Sequence, residues 1–185
     1  MSCPFCQRKE IQARIYYQNT NWIAFLAAPY NTWGHSILAA KKKGNKCPTA
    51  EVLHWRIPPC FDSALATVAP SLMKYLTLTQ YPTPDMRVVT PKNILLASVR
   101  GDQRHFHFHL IPLWVEEEKD WRTQQGYGDP GHLLEYLGFM ERSANKRAVY
   151  ERIKNGWTEN EQRKEITKSL KPYVKELRNL TGYRR

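Results

Sequence analysis

Polar and apolar side chains alternate strictly from His105 to Leu110 in RHFHFHLI, residues 104–111. A period of two is the mark of a strand with one face turned to a core. Other short apolar runs read the same way. Ala13–Tyr17 and Trp22–Ala27 are aromatic-rich and flank the polar turn Gln18-Asn19-Thr20-Asn21. His35–Ala40 predicts a third strand that ends at a lysine cluster. Met86–Thr90 and Asn93–Val99 predict two more, the second pairing with Arg104–Ile111 across the tight loop Arg100-Gly101-Asp102. The pattern changes to helical spacing at Ser63–Leu76, where Pro70 is expected to kink the helix or split off its first turn. After a polar, glycine-rich stretch at 115–130, His132–Arg142 and Asn145–Lys154 predict helices. Thr158 and Glu161 form a capping box for one more. Its apolar face is Ile166, Leu170, Val174, Leu177 and Leu180, and Pro172 should kink it. Strands and helices in mixed order predict an α+β fold with a mostly antiparallel sheet and a helical C-terminal extension.

The 185 residues and their 42% hydrophobic content suit one packed domain, or one domain with an appendage. No apolar run approaches the roughly 20 residues of a membrane helix, and the start, MSCPFCQRKE, lacks the apolar stretch of a secretory signal. A cytoplasmic protein without a membrane partner is expected. There, metal binding or free thiols suit Cys3, Cys6, Cys47 and Cys60 better than disulfides.

Charge adds a second theme. The chain carries a net +11, and residues 141–185 hold 13 basic against 6 acidic residues. Lys41, Lys42, Lys43 and Lys46 form another cluster. Such charge attracts phosphate-bearing partners, nucleotides or nucleic acid. In the tail it equally suits a solvated helical support.

The alternating strand places His105, His107 and His109 on one face and Phe106, Phe108 and Leu110 on the other. His105 and His109 then stand about 13 Å apart at Cα, at roughly 3.3 Å per residue. That distance disfavours one shared metal ion and suits an elongated polyphosphate. Neutral imidazole, with an ordinary pKa near 6.5, is nucleophilic toward phosphorus at pH 7. CPFC, at 3–6, has the spacing of a zinc knuckle.

HFHFHLI resembles the signature of the histidine triad superfamily, which hydrolyses or transfers nucleotides. NWIAFLAAPYNTWGHSILAAKK, residues 21–42, resembles that family's first half, and the resemblance covers roughly residues 1–115. It implies a histidine-triad-like catalytic domain at 1–115, with 116–185 as a polar loop and basic helical extension. It implies that His107 is the nucleophile, that His105 and His109 flank it, and that His35 sits near the phosphates. Trp22, Phe25, Lys41, Ser98 and Gln103 are the candidate substrate contacts. The closest pattern is the zinc-bearing branch, which includes diadenosine-tetraphosphate phosphorylases and hexose-1-phosphate uridylyltransferases. By that pattern Cys3, Cys6 and His105 would bind structural zinc. The position matching the remaining ligand is Lys43, a poor ligand while protonated, so Cys47 is the substitute and His54 a weaker one. A homodimer is implied by resemblance alone.

Three departures bear on substrate. Ala27 and Ala28 stand where the family usually has an acidic residue for the ribose, and RGDQ shortens its glycine-rich loop. His109 stands where the uridylyltransferases have glutamine, which leans toward hydrolysis or phosphorolysis. Two functions are therefore carried forward. One is an enzyme acting on a nucleoside polyphosphate or nucleotidyl conjugate through a nucleotidyl-histidine. The alternative is a zinc-stabilised nucleic-acid-binding module, using the basic tail, whose triad is not catalytic.

Overall fold

The computed structural model describes residues 3, 5–6, 8–28, 34–42, 44, 46–49, 52–53, 56–78, 91–98, 104–114, 142 and 146–184. A short helix α1 (Arg8–Ile11) and a 3-10 turn (Gln12–Arg14) lead into five strands: β1 (Ile15–Gln18), β2 (Trp22–Leu26), β3 (Ser36–Ala40), β4 (Pro91–Ala97) and β5 (His107–Trp114). They form one antiparallel sheet in the order β1-β2-β3-β5-β4. The turn between β1 and β2 is built by Asn19, whose Oδ1 accepts from the backbone N–H of Asn21 (2.9 Å) and Trp22 (2.8 Å). An asparagine side chain that copies a backbone turn in this way fixes the hairpin register. The predicted strand Met86–Thr90 lies outside the described residues, as does the predicted helix His132–Arg142 apart from Arg142.

Register divides the sheet into two unlike faces. Ile23, Ala39 and His107 lie abreast, as do Phe25, Ile37 and His109. One residue over, Ala24, Leu38 and Phe108 point the opposite way. That second face carries the main core, with Tyr16, Trp22, Leu26 and Leu110. The first face carries a smaller cluster of Ile11, Ile15, Ile23, Phe25, Ala27, Ile37 and Ala39, with Phe5 packed against it. The histidines are on this smaller-core face, and Phe106, Phe108 and Leu110 are on the other, as alternation requires.

Helix α2 (Phe61–Leu78) covers the main core with Ala64, Val68, Leu72, Tyr75 and Leu76. Of the kink or split expected at Pro70, the split does not occur: the helix runs through it. Pro70 and Ala66, whose carbonyl it leaves without an intrahelical donor, are both on the exposed side, where water can serve that carbonyl.

Residues 146–155 are helical, close to the expected span. Helix α3 (Glu159–Ser169) opens with the predicted capping box: Thr158 Oγ1 accepts from Glu161 N–H, and the Glu161 carboxylate accepts from Thr158 N–H. The expected single kinked helix is instead two. α3 stops at Leu170 and α4 (Lys171–Thr181) begins with Pro172 in its first turn, where a missing N–H breaks no helical bond. Leu170, Val174 and Leu177 of this C-terminal stretch are buried in the main core. Thr181 Oγ1 donates to the Tyr16 carbonyl (2.6 Å) and Arg178 Nε to that of Ile15 (2.8 Å), which ties α4 to β1. The last helix therefore completes the core rather than hanging from it.

Candidate functional site

The segment that leads into β5 is pinned from two sides. Phe106 N–H donates to Pro48 O (2.7 Å) and Ala40 N–H to Phe106 O (3.0 Å). An isolated bridge joins Thr49 to His105. These bonds bring the Cys47 segment alongside the histidine strand. His105 is buried, and its Nε2 lies 2.7 Å from the Ala40 carbonyl. A carbonyl only accepts, so Nε2 carries the proton and Nδ1 of the neutral ring presents its lone pair. That Nδ1 faces three thiols: Cys47 Sγ at 3.3 Å, Cys3 Sγ at 3.4 Å and Cys6 Sγ at 3.5 Å.

All four ligand atoms lie within 4.8 Å of one another. A tetrahedral zinc site with Zn–S of about 2.3 Å and Zn–N of about 2.05 Å has S···N edges of about 3.5 Å. The observed edges match, and the donor set is a Cys3His set of structural type, so these residues can hold structural zinc. Burial pushes the Cys6 and Cys47 thiols up from their ordinary range. A bound dication would reverse that by stabilising thiolate. Cys47 supplies the place that Lys43 cannot; Lys43 and His54 lie outside the described residues.

His107 and His109 follow on the same face, and His35 joins them from the start of β3. His107 Nδ1 lies 2.5 Å from the His105 carbonyl, so Nδ1 holds the proton and Nε2 the lone pair. His107 Nε2 is 3.1 Å from His109 Nε2, which must then donate. The remaining lone pair of His109, on Nδ1, accepts from His35 Nε2–H at 2.9 Å. One carbonyl therefore fixes the tautomer of three rings in series. The expected even row of three is divided in the fold. His105 turns to the thiols, and the chemical row is His107, His109 and His35.

Burial sets the charge of this row. His35 is 4% exposed and His107 7%, with His109 only part-buried. Burial holds His35 down at about 3, with the neighbouring His109 and His107 charges adding to it. His109 is held at about 4 by burial and then by His107. His105 is likewise held at about 4, burial outweighing its bond to Ala40. Burial also lowers His107, against the opposing effect of the His105 carbonyl. All four rings are neutral at pH 7, as the tautomer chain requires.

The other candidate residues are dispersed. Trp22 does not join the histidines: it is fully buried on the opposite face, its Nε1 donating to Pro59 O at 3.0 Å. Phe25 is on the histidine face but only 1% exposed, stacked edge-on against Phe5 at 5.5 Å. Lys41 lies past the end of β3, where its Nζ donates to Asn19 O and it lines a separate cleft with Lys46, Arg56 and Ile57. Ser98 is exposed, with its Oγ 3.5 Å from the His107 carbonyl. Gln103 lies outside the described residues. Sequence reasoning missed Phe5, whose ring meets His105 at 5.3 Å and His107 at 5.1 Å, both edge-on. The only signal was its place between the two cysteines.

Away from the histidines, a cleft of about 560 Å³ opens between α1 and α3. Lys9, Arg163, Lys164, Lys168 and Lys171 line it, with Glu165 as the one acidic residue. None of the helices among the described residues is long and apolar enough to cross a membrane.

No family model matches the chain, and no curated protein matches it in sequence. Solved structures similar to it include a histidine triad nucleotide-binding protein from Candida albicans (24% identity, TM-score 0.40), covering 80% of this chain and 99% of that one. A zinc-bound histidine triad family protein from Mycobacterium smegmatis has 16% identity and TM-score 0.43, over 81% of this chain and 98% of that one. A HIT family protein from Bacillus anthracis has 20% identity and TM-score 0.42, over 85% and 98%.

Proposed function

We propose that this protein is a nucleotide hydrolase or nucleotidyltransferase that cleaves a nucleoside polyphosphate or nucleotidyl conjugate at its α-phosphate through His107. The observation that carries the reading is the proton order of the row. With Nδ1–H committed to the His105 carbonyl, His107 keeps its lone pair on Nε2, and the neighbouring group at that nitrogen is an N–H of His109. A nucleophile and a hydrogen-bond donor thus stand side by side. Nε2 of His107 forms the N–P bond as the P–O bond to the leaving group breaks. The Nε2–H of neutral His109 donates a hydrogen bond to the departing oxygen, and any proton that oxygen takes comes from solvent. Since His107 is 7% exposed and His109 only part-buried, substrate approaches from the His109 side. His35 holds His109 in the tautomer that presents this N–H.

In this reading zinc on Cys3, Cys6, Cys47 and His105 has a structural role: it anchors the residue whose carbonyl orients His107. Residues 1–115 carry the chemistry, and the helices of 116–185 support it. The protein works in the cytoplasm as a homodimer. The test is a covalent nucleotidyl adduct on His107, sought by mass spectrometry across dinucleoside polyphosphates and sugar nucleotides.

A second reading has its own observation, the basic cleft between α1 and α3. Five cations from two distant segments suit the backbone of a nucleic acid, and the protein would then be a zinc-stabilised binding module with a silent triad. Tight, steeply salt-dependent RNA binding that is lost in Lys164→Glu/Lys168→Glu, with no adduct on any substrate, would select this reading over the first.

A further inference from the structure

We infer that Phe5 is a positioning residue for His107, and that the metal set on either side of it decides whether Phe5 is in place. Cys3 and Cys6 form a tight turn, closed by Cys6 N–H to Cys3 O at 3.1 Å, with Phe5 inside it. The turn is anchored through its two thiols, which reach His105 Nδ1 together with Cys47. Between those anchors the Phe5 ring is set edge-on to Phe25 at 5.5 Å, His105 at 5.3 Å and His107 at 5.1 Å. Phe25 is itself walled in by the smaller core, so Phe5 is pressed between that wall and the two imidazoles.

Edge-on contacts of this kind hold a ring angle as well as fill space. The His107 imidazole has hydrogen bonds at both nitrogens, which fix it in its own plane. Phe5 supplies what those bonds lack, a steric stop against the ring and a cover over it. Among the described residues, the turn is held to the sheet by its two thiols and by the Phe5 ring. The tie is the metal set. With a dication on the four ligands the turn is clamped and Phe5 sits on His107. When the thiols lose the metal, the turn is released and Phe5 leaves with it, so that His107 becomes exposed and free to rotate. Metal loading is thereby read out as access to one imidazole. The cover stands on geometry alone; only its effect on turnover rests on the function proposed above.

Diethyl pyrocarbonate, which acylates accessible neutral imidazoles, tests this without substrate. The reaction at each histidine is followed by peptide mass spectrometry on the zinc-loaded full chain at pH 7. The expected result is slow modification of His107 in the wild type and a rise of several-fold in Phe5→Ala at unchanged zinc content. Phe5→Leu, which keeps most of the bulk, should restore protection, and this guards against a variant that merely unfolds. Chelation of the wild type should raise His107 modification to the Phe5→Ala level while buried His35 stays slow. In Phe5→Ala, chelation should add little more. Equal His107 rates in loaded wild type and Phe5→Ala would overturn the inference. A uniform rise at His35 and His107 on chelation would equally overturn it, because the metal would then hold the whole fold and not this cover. If the protection pattern holds and no nucleotidyl adduct forms, the cover survives and the proposed reaction falls.

Discussion

His109 donates from Nε2 to Nε2 of His107 across 3.1 Å, and the direction of that bond is dictated two residues away by the His105 carbonyl. A neutral imidazole has one donor and one acceptor nitrogen, so fixing one end of the row fixes all of it. The sheet supplies the spacing, since β5 places His107 and His109 on the same face, and antiparallel β3 begins beside them with His35 just before it.

His109→Ala should therefore remove the hydrogen-bond donor to the departing oxygen and leave the nucleophile. For a substrate with a poor leaving group, kcat should fall by roughly 10²–10³, the usual worth of one donor aimed at a developing negative charge. For a substrate whose leaving group carries little charge on its oxygen, such as a nitrophenyl ester of a nucleotide, the loss should be small. Comparing kcat on the two substrates checks the role. Equal losses on both would mean that His109 acts only by holding His107.

The metal set gives a second expectation. Wild type should hold one zinc per chain by elemental analysis, and Cys47→Ser should lose most of it and melt earlier. Cys60, exposed and outside the cluster, is the control: Cys60→Ser should leave zinc content and Tm unchanged. Chelator should lower the wild-type Tm and leave that of Cys47→Ser nearly unmoved.

Stability should depend on pH through the buried row. His35 is held at about 3 and His109 at about 4, both below the ordinary 6.5 that the unfolded chain retains. Below pH 6.5 the unfolded chain binds protons that the folded one refuses. The stability is thus fully present above 6.5 and is lost as pH falls through the window down to about 4, and to about 3 for His35. Each histidine contributes up to about 1.4 kcal/mol per pH unit in that window. His35→Gln should flatten the slope of urea-unfolding stability between pH 6.5 and 4.5 relative to wild type. An unchanged slope would show that His35 titrates normally.

Much of this was legible in the chain because it depends on local period. The alternation from His105 to Leu110 gave the face, the capping box gave the start of α3, and the polar turn gave the first hairpin. Two candidate contacts separate where the two faces of one strand have to be told apart. Trp22 and Phe25 are three residues apart, so alternation sends them to opposite faces, and only one of them can share a face with the histidines. The split at Pro70 failed because an exposed helix face tolerates an unpaired carbonyl. Pro172 ended a helix rather than bending one because it fell in a first turn. His35 meeting His109, and Cys47 reaching His105, depend on residues 74 and 58 positions apart, which no local period encodes.

Gly34 marks where the fold supports His35. It has φ +81°, and an added Cβ would lie 2.6 Å from Leu76 Cδ2 of α2. Gly34→Ala should cost roughly 1–3 kcal/mol from backbone strain and crowding together. It should also shift the His35 ring resonances in NMR, while the exposed Gly156→Ala, which meets no atom within 4 Å, changes stability through its φ of +65° alone.

The most direct measurement is the mass of the His107 peptide after brief incubation of zinc-loaded protein with a dinucleoside polyphosphate or sugar nucleotide and an acid-free quench. A nucleotidyl group should be found on His107, absent from His107→Ala and retained in Cys60→Ser. Unmodified His107 across the whole substrate panel, in protein that holds its zinc and its fold, would contradict nucleophilic catalysis by this imidazole.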